Sequence, residues 1–257
     1  MSTIGRITFL GSGTSHGVPM IGCDCGTCRS TDPRDRRSRP SIYLELADST
    51  RVLVDTTPDL RHQALTFDVT RVDAVLYTHC HADHVMGLDE IRRFNLLQKS
   101  AIPCYGDRRT MQELRRTFAY VFESKEEGGG IPQLHVFTLG GPFSLGRQEI
   151  VPVPIFHGKR LILGYRLGSF AYLTDCSGIP DESWALLQGV ETLVVDALRH
   201  RPHPTHFTVA QALQVVERLA PRRAYLTHIC HDLPHADTSA TLPAGVELAF
   251  DGLTLDI

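Results

Sequence analysis

The feature that most limits what this chain can be is the run His79-Cys80-His81-Ala82-Asp83-His84, which directly follows an apolar stretch at residues 72–78. At a strand end, alternate side chains share a face. His79 and His81 can therefore face one metal ion while Asp83 and His84 turn towards a second. Neutral imidazole and carboxylate suit Zn²⁺, Mn²⁺ or Fe²⁺. The competing reading is a solvated loop with incidental histidines, and so dense a cluster directly after an apolar strand argues against it.

The same arrangement recurs along the chain. His157, Asp175 and His228 each stand at the C-terminal tip of an apolar run, and Asp55 ends the run Val52-Leu53-Val54. Alone, any of these is a turn residue; with the seed motif they become a ligand set. Strands are expected at 5–10, 41–46, 51–55, 72–78, 134–138, 148–155, 163–167, 170–174, 190–195, 223–227, 246–250 and 253–257, and helices at 58–67, 85–97, 107–121 and 209–219. Gly128-Gly129-Gly130 reads as a flexible loop. Each half runs from strands to helices with no low-complexity linker between them. The expected fold is α/β, an αββα sandwich of two sheets packed face to face with helices outside, as one domain over residues 1–257.

Charge narrows the function classes. The formal net charge of −3 lacks the basic excess of a nucleic-acid-coating protein, so a nucleic-acid partner is not expected. The local cluster Arg34, Arg36, Arg37 and Arg39 reads as a solvated loop. No secretory signal is visible and no apolar run approaches the roughly 20 residues of a membrane helix, so a cytoplasmic, membrane-free protein is expected. In a reducing compartment the seven cysteines favour metal over disulfides.

Three of those cysteines lie in Cys23-Asp24-Cys25-Gly26-Thr27-Cys28. Cys-x-Cys-x-x-Cys offers three soft ligands, and a closed tetrahedral zinc site needs a fourth. His231 is the preferred fourth ligand and Cys230 competes. The segment His228-Ile229-Cys230-His231 could then aim one imidazole at the catalytic pair and the other at the cysteine loop. Cys80, Cys104 and Cys176 read as small packing residues. His16, His200 and His203 read as site-rim residues, and His62, His135 and His235 as ordinary histidines.

These motifs together resemble the metallo-β-lactamase superfamily, whose pattern is His-x-His-x-Asp-His, then a distant His, an Asp and a His. The resemblance implies that His79, His81 and His157 hold one metal ion, that Asp83, His84 and His228 hold the other, and that Asp175 bridges them, with Asp55 buttressing the metal loop. A metal pair about 3.5–4 Å apart can activate a bridging hydroxide and neutralise charge on a transferring phosphoryl group. Gly13-Thr14-Ser15-His16-Gly17-Val18-Pro19, Gly22 to Cys28 and Thr227-His228-Ile229-Cys230-His231 narrow the resemblance to the PhnP-type phosphoribosyl cyclic phosphodiesterase branch. That branch implies a structural zinc on Cys23, Cys25, Cys28 and His231, and a pair of catalytic Zn²⁺ or Mn²⁺ ions. Its catalytic residues correspond to Asp83, Asp175 and His206, the last a phosphate-contacting general acid. Asp196 could orient a neighbouring histidine.

The expected activity is hydrolysis of small phosphodiesters, cyclic ones included, with a homodimer implied by resemblance alone. A tRNA 3′-processing ribonuclease, a lactone or thioester hydrolase and a non-catalytic metal module are the alternatives. The first lacks an evident tRNA-binding arm and a basic excess; the last would leave a complete ligand set without a task.

Overall fold

The computed structural model describes residues 4–123 and 130–257. Gly128 and Gly129 lie outside the described residues; Gly130 has φ +66°. The strands are β1 (Gly5–Gly11), β2 (Ser41–Leu46), β3 (Arg51–Val54), β4 (Ala74–Leu76), β5 (Ile102–Gly106), β6 (Leu134–Thr138), β7 (Phe143–Leu145), β8 (Gln148–His157), β9 (Arg160–Leu167), β10 (Phe170–Leu173), β11 (Thr192–Asp196), β12 (Arg223–Thr227), β13 (Val246–Leu248) and β14 (Thr254–Asp256). The helices are α1 (Leu60–Thr66), α2 (Ala82–Val85), α3 (Ile91–Gln98), α4 (Arg108–Thr117), α5 (Ala119–Glu123), α6 (Asp181–Leu186), α7 (Val209–Leu219) and α8 (His235–Ser239).

The described strands form two sheets, ordered β14-β1-β2-β3-β4-β5-β6 and β13-β12-β11-β10-β9-β8-β7. Each sheet begins with antiparallel hairpins and ends in parallel strands: β3 through β6 in one, β10 through β13 in the other. Parallel neighbours need crossover connections, and helices α1, α3, α4, α6 and α7 lie in those connections. Alternation along the strands then serves two interfaces at once. Val194 of β11 packs between the sheets with Phe9, Tyr172 and Tyr225, while its neighbours Leu193 and Val195 pack outwards with Val209, Ala212 and Val215 of α7. On the other side Val75 joins Ile91, Phe94 and Met111 beneath α3 and α4. The expected αββα layering is thus the observed one. Among the described residues, no helix is long and apolar enough to cross a membrane.

Several elements differ from their sequence expectation. Residues 85–97 are not one helix: α2 ends at Val85 and α3 starts at Ile91. Gly87 sits between them, and a Cβ there would lie 1.9 Å from the Thr57 carbonyl oxygen, so close backbone approach overrides helical spacing. Residues 107–121 divide at Phe118 (φ −110°, ψ 43°). Strands β5 and β7 and helices α6 and α8 were not foreseen. The arginine cluster needs correction at Arg37, which is 2 % exposed. Its guanidinium pairs with Asp35 at 2.9 Å and donates to the Cys230 and Leu233 carbonyls at 3.0 and 2.8 Å. It is a buried staple rather than a solvated charge.

Candidate metal centre

The tips of β3, β4, β8, β10 and β12 converge at one end of the sandwich, and each delivers a functional side chain to the same place. Asp55, Asp175 and His228 adopt φ of +65°, +57° and +60°. This left-handed region costs a non-glycine residue of the order of 1–3 kcal/mol. Three such residues, each within two positions of a strand end and each buried, mark a site where position has priority over backbone comfort.

His79 and His81 leave β4, and Asp83 and His84 occupy the short α2 that follows. The donor atoms of His79, His81 and His157 form one group, and those of Asp83, His84, Asp175 and His228 a second; within each group all lie within 4.8 Å of one another. Asp175 joins the groups: its Oδ1 lies 3.2 Å from His84 Nε2, and its Oδ2 lies 3.3 Å from His228 Nε2 and 3.9 Å from His79 Nε2. Asp83 Oδ2 lies 3.4 Å from His84 Nε2 and 3.8 Å from His228 Nε2.

The surrounding hydrogen bonds fix which imidazole nitrogen faces inward. His84 Nδ1 donates to Asp55 Oδ2 at 2.7 Å, and Thr78 donates to both Asp55 oxygens, from its amide and its hydroxyl, at 2.8 Å each. His157 Nδ1 lies 2.9 Å from the carbonyls of both Asp175 and Thr205. In each ring Nδ1 faces the bracing oxygen and Nε2 faces the site, the usual arrangement behind a metal-ligating histidine.

Metal ions fit this donor set. Nε2 of His79, His84 and His228 is buried with no hydrogen-bond partner, and a buried orphan nitrogen is costly. Burial lowers the pKa of His79, His81 and His157, so these rings are neutral and able to ligate. For His84 burial acts in the same direction, but the carboxylates of Asp175, Asp83 and Asp55 outweigh it and raise its pKa well above the usual range. Burial would raise Asp175 and Asp83; the facing imidazoles of His228 and His84 instead hold both below the ordinary carboxylate range. Asp83 and Asp175 thus face the pocket as carboxylates, oxygen donors suited to a divalent cation.

His206 is also brought to the cluster. Its Nδ1 lies 2.7 Å from Asp196 Oδ2, and its ring stacks 4.5 Å from that of His228. Burial lowers His206 and raises Asp196, which favours a neutral pair sharing one proton. Asp196 is thus the orienting residue for His206. His203 lies 5.0 Å from His206, ring to ring, and His200 is exposed at the same loop. His16 and His62 instead line a separate cleft of about 440 Å³ with Arg36 and Arg39. His235, read as an ordinary histidine, is buried against Phe250. Cys104 and Cys176 are buried as expected, whereas Cys80 is only half-buried.

A second donor group lies beside the first. The Sγ atoms of Cys23, Cys25 and Cys28 stand 3.3, 3.4 and 3.7 Å from His231 Nδ1. Cys230 is not among them; its Sγ accepts the Asp232 amide at 3.3 Å. The backbone amide of Cys28 donates to Cys25, lowering that thiol to about 6, and burial pushes Cys28 up to about 11. One thiolate is thus ready for metal while the loop stays short of three charges.

Sequence reasoning missed Thr78 and Thr205, which brace the rings, and Arg160, whose Nη1 lies 3.3 Å from His81 Nε2. The signal for Arg160 was register: it follows His157 across a Gly158-Lys159 turn.

The model of the Beta-lactamase superfamily domain matches residues 50–229. A solved diphosphatase of the PhnP family superposes with a TM-score of 0.92 at 46 % identity, covering 98 % of this chain and 97 % of its own. An octanoyltransferase of Porphyromonas gingivalis is 36 % identical over 96 % of this chain, which spans 51 % of that longer protein. Human short-form tRNase Z shares the fold, with a TM-score of 0.70 at 18 % identity over 97 % of this chain and 98 % of its own. With a matched family model and a close full-length structural relative, the chain belongs to the β-lactamase superfamily as a metal-dependent hydrolase of the PhnP-like branch.

Proposed function

We propose that this protein hydrolyses the P–O bond of small phosphodiesters, with two divalent ions held by His79, His81 and His157 and by Asp83, His84 and His228, and Asp175 shared between them. The observation that carries this reading is the position of Asp175: its two oxygens face imidazoles of both donor groups, so a substrate oxygen at the centre of the cleft meets both groups. When bound, a metal pair supplies Lewis acidity and a water acidified to near neutral pKa. Zinc and manganese both suit this mixed nitrogen and oxygen donor set.

The chain's own residues do the rest. Asp55 and the Thr205 carbonyl hold His84 and His157 in one tautomer, so no reorganisation is needed at the moment of reaction. Asp83 and Asp175 keep the site anionic until cations enter. His206, buttressed by Asp196, can place Nε2 against the departing oxygen and pass it a proton, the role of a general acid. The 46 % identity to a PhnP-family diphosphatase favours a substrate in which one ester oxygen bridges to a second phosphate. Cys23, Cys25, Cys28 and His231 would hold a separate zinc with no open position, hence a structural one.

The test is a panel of linear and cyclic phosphodiesters, nucleoside diphosphates, a lactone and a precursor tRNA, offered to protein loaded with Mn²⁺ or Zn²⁺. Turnover confined to phosphorus substrates of small size supports the reading. Turnover of the lactone alone, or of the precursor tRNA alone, refutes it.

A further inference from the structure

Arg160 has no task in the mechanism above, yet it reaches His81 at the mouth of the site. We propose that it determines substrate specificity by holding the second, non-reacting phosphate of a diphosphate. The inference rests on the phosphodiesterase reading and names its substrate class.

Three observations carry it. First, the side chain is delivered by register. His157 and Arg160 are the last Cα pair of the antiparallel β8–β9 ladder, and directly opposed residues place their side chains on the same face about 4.5–5.5 Å apart. The intervening turn requires Gly158, whose φ is +62° and whose added Cβ would lie 2.9 Å from Thr205. The hairpin that presents His157 therefore presents Arg160 too. Second, the guanidinium already lies 3.3 Å from His81 Nε2. Third, its charge is unanswered: among the described residues no carboxylate lies within the 4.0 Å of an ion pair with Arg160, so the guanidinium beside His81 is open to an anion.

A cation beside metal-ligating histidines adds nothing to metal retention, because like charges repel. Its place is explained by an anion that lies against the metals on one side and Arg160 on the other. In a diphosphate ester the inner phosphorus carries two bridging oxygens and is chemically a diester, while the outer phosphate adds charge that a simple diester lacks. Hydrolysis joins a water oxygen to the inner phosphorus. The bond from that phosphorus to the bridging oxygen breaks, and the outer phosphate leaves with the electron pair and one of the water's protons. Arg160 is the planar fork that binds those outer oxygens pairwise.

Calorimetric titration with α,β-methylene-ADP, which cannot be cleaved at that bridge, tests binding independently of turnover. Arg160→Ala is expected to weaken it by about ten-fold or more, with Arg160→Lys recovering part of the loss. The KM for bis(p-nitrophenyl) phosphate should shift several-fold less than that. Binding of α,β-methylene-ADP within two-fold of the unmodified protein, or an equal rise in both constants, overturns the proposal. If the unmodified protein turns over no phosphodiester, the phosphodiesterase reading fails separately, while the titration still decides what Arg160 binds.

Discussion

The two donor clusters meet on one stretch of chain, residues 227–231, yet they are built in opposite ways. The catalytic cluster sits on strand tips, and two of its rings are braced by the structure around them: His84 by Asp55, His157 by two carbonyls. The cysteine cluster sits on a loop whose thiols meet only one another, His231 and backbone amides. Its scaffold is the buried Arg37, which ties the loop's return path to the carbonyls of Cys230 and Leu233. The catalytic geometry is thus preformed by the fold, and the cysteine geometry is held by one ion pair and by whatever metal it binds. Rigidity is placed where chemistry is done, and the soft-donor cluster fastens the segment that carries His228.

The largest expected effect comes from breaking that fastening. Arg37→Met leaves Asp35 buried without its partner, and loss of one member of a buried pair costs about 3–5 kcal/mol. Urea unfolding should show it; a loss below about 1 kcal/mol would mean that the loop does not depend on Arg37. Next is a pH effect on the same side. Burial, with Arg34 and Arg37 nearby, lowers His235 to about 4, against about 6.5 in an unfolded chain. The unfolded state then takes up a proton that the folded state refuses, so stability is fully present above about pH 6.5 and is lost as pH falls towards 4, by at most about 3 kcal/mol. His235→Asn should flatten that slope in thermal melts across this range, and an unaltered slope assigns it elsewhere.

On the catalytic side, Asp55→Asn replaces one of the two accepting oxygens that Thr78 and His84 share with a donating NH2 and should weaken catalytic metal binding by about 10–100-fold, read by competition with a chelator, while metal at the cysteine cluster is expected to stay. Simultaneous loss of both would show that the clusters are not separately built. The smallest effect on turnover is expected from Cys25→Ser. It should lower metal content by about one ion per chain and leave a measurable share of activity; complete inactivation would make the cysteine cluster part of the reaction centre.

The candidate ligands His79, His157, Asp175 and His228 were legible because each stands at the end of an apolar run, and the dense motif His79–His84 turned those tips from turn residues into a ligand set. The cysteine loop was legible from spacing alone, with His231 preferred over Cys230 as fourth ligand; the structure puts His231 Nδ1 beside the thiols and Cys230 Sγ beside the Asp232 amide. Arg37 and Arg160 were unreadable for one shared reason. Both are long cations in polar stretches, and what distinguishes them is a partner far away in sequence: Cys230 and Leu233 for one, His81 for the other. Gly87 broke an expected helix through Thr57, a neighbour that no periodicity records. Strand β7 is three residues long, too short for alternation to announce it.

The central claim is that Asp175 joins two metal sites into one reaction centre. The most direct test is turnover of bis(p-nitrophenyl) phosphate by Asp175→Ala after loading with Mn²⁺ or Zn²⁺, with metal content measured on the same samples. A loss of at least about a thousand-fold in kcat/KM, with the zinc of the cysteine cluster retained, is the predicted result. Activity within ten-fold of the unmodified protein would contradict it.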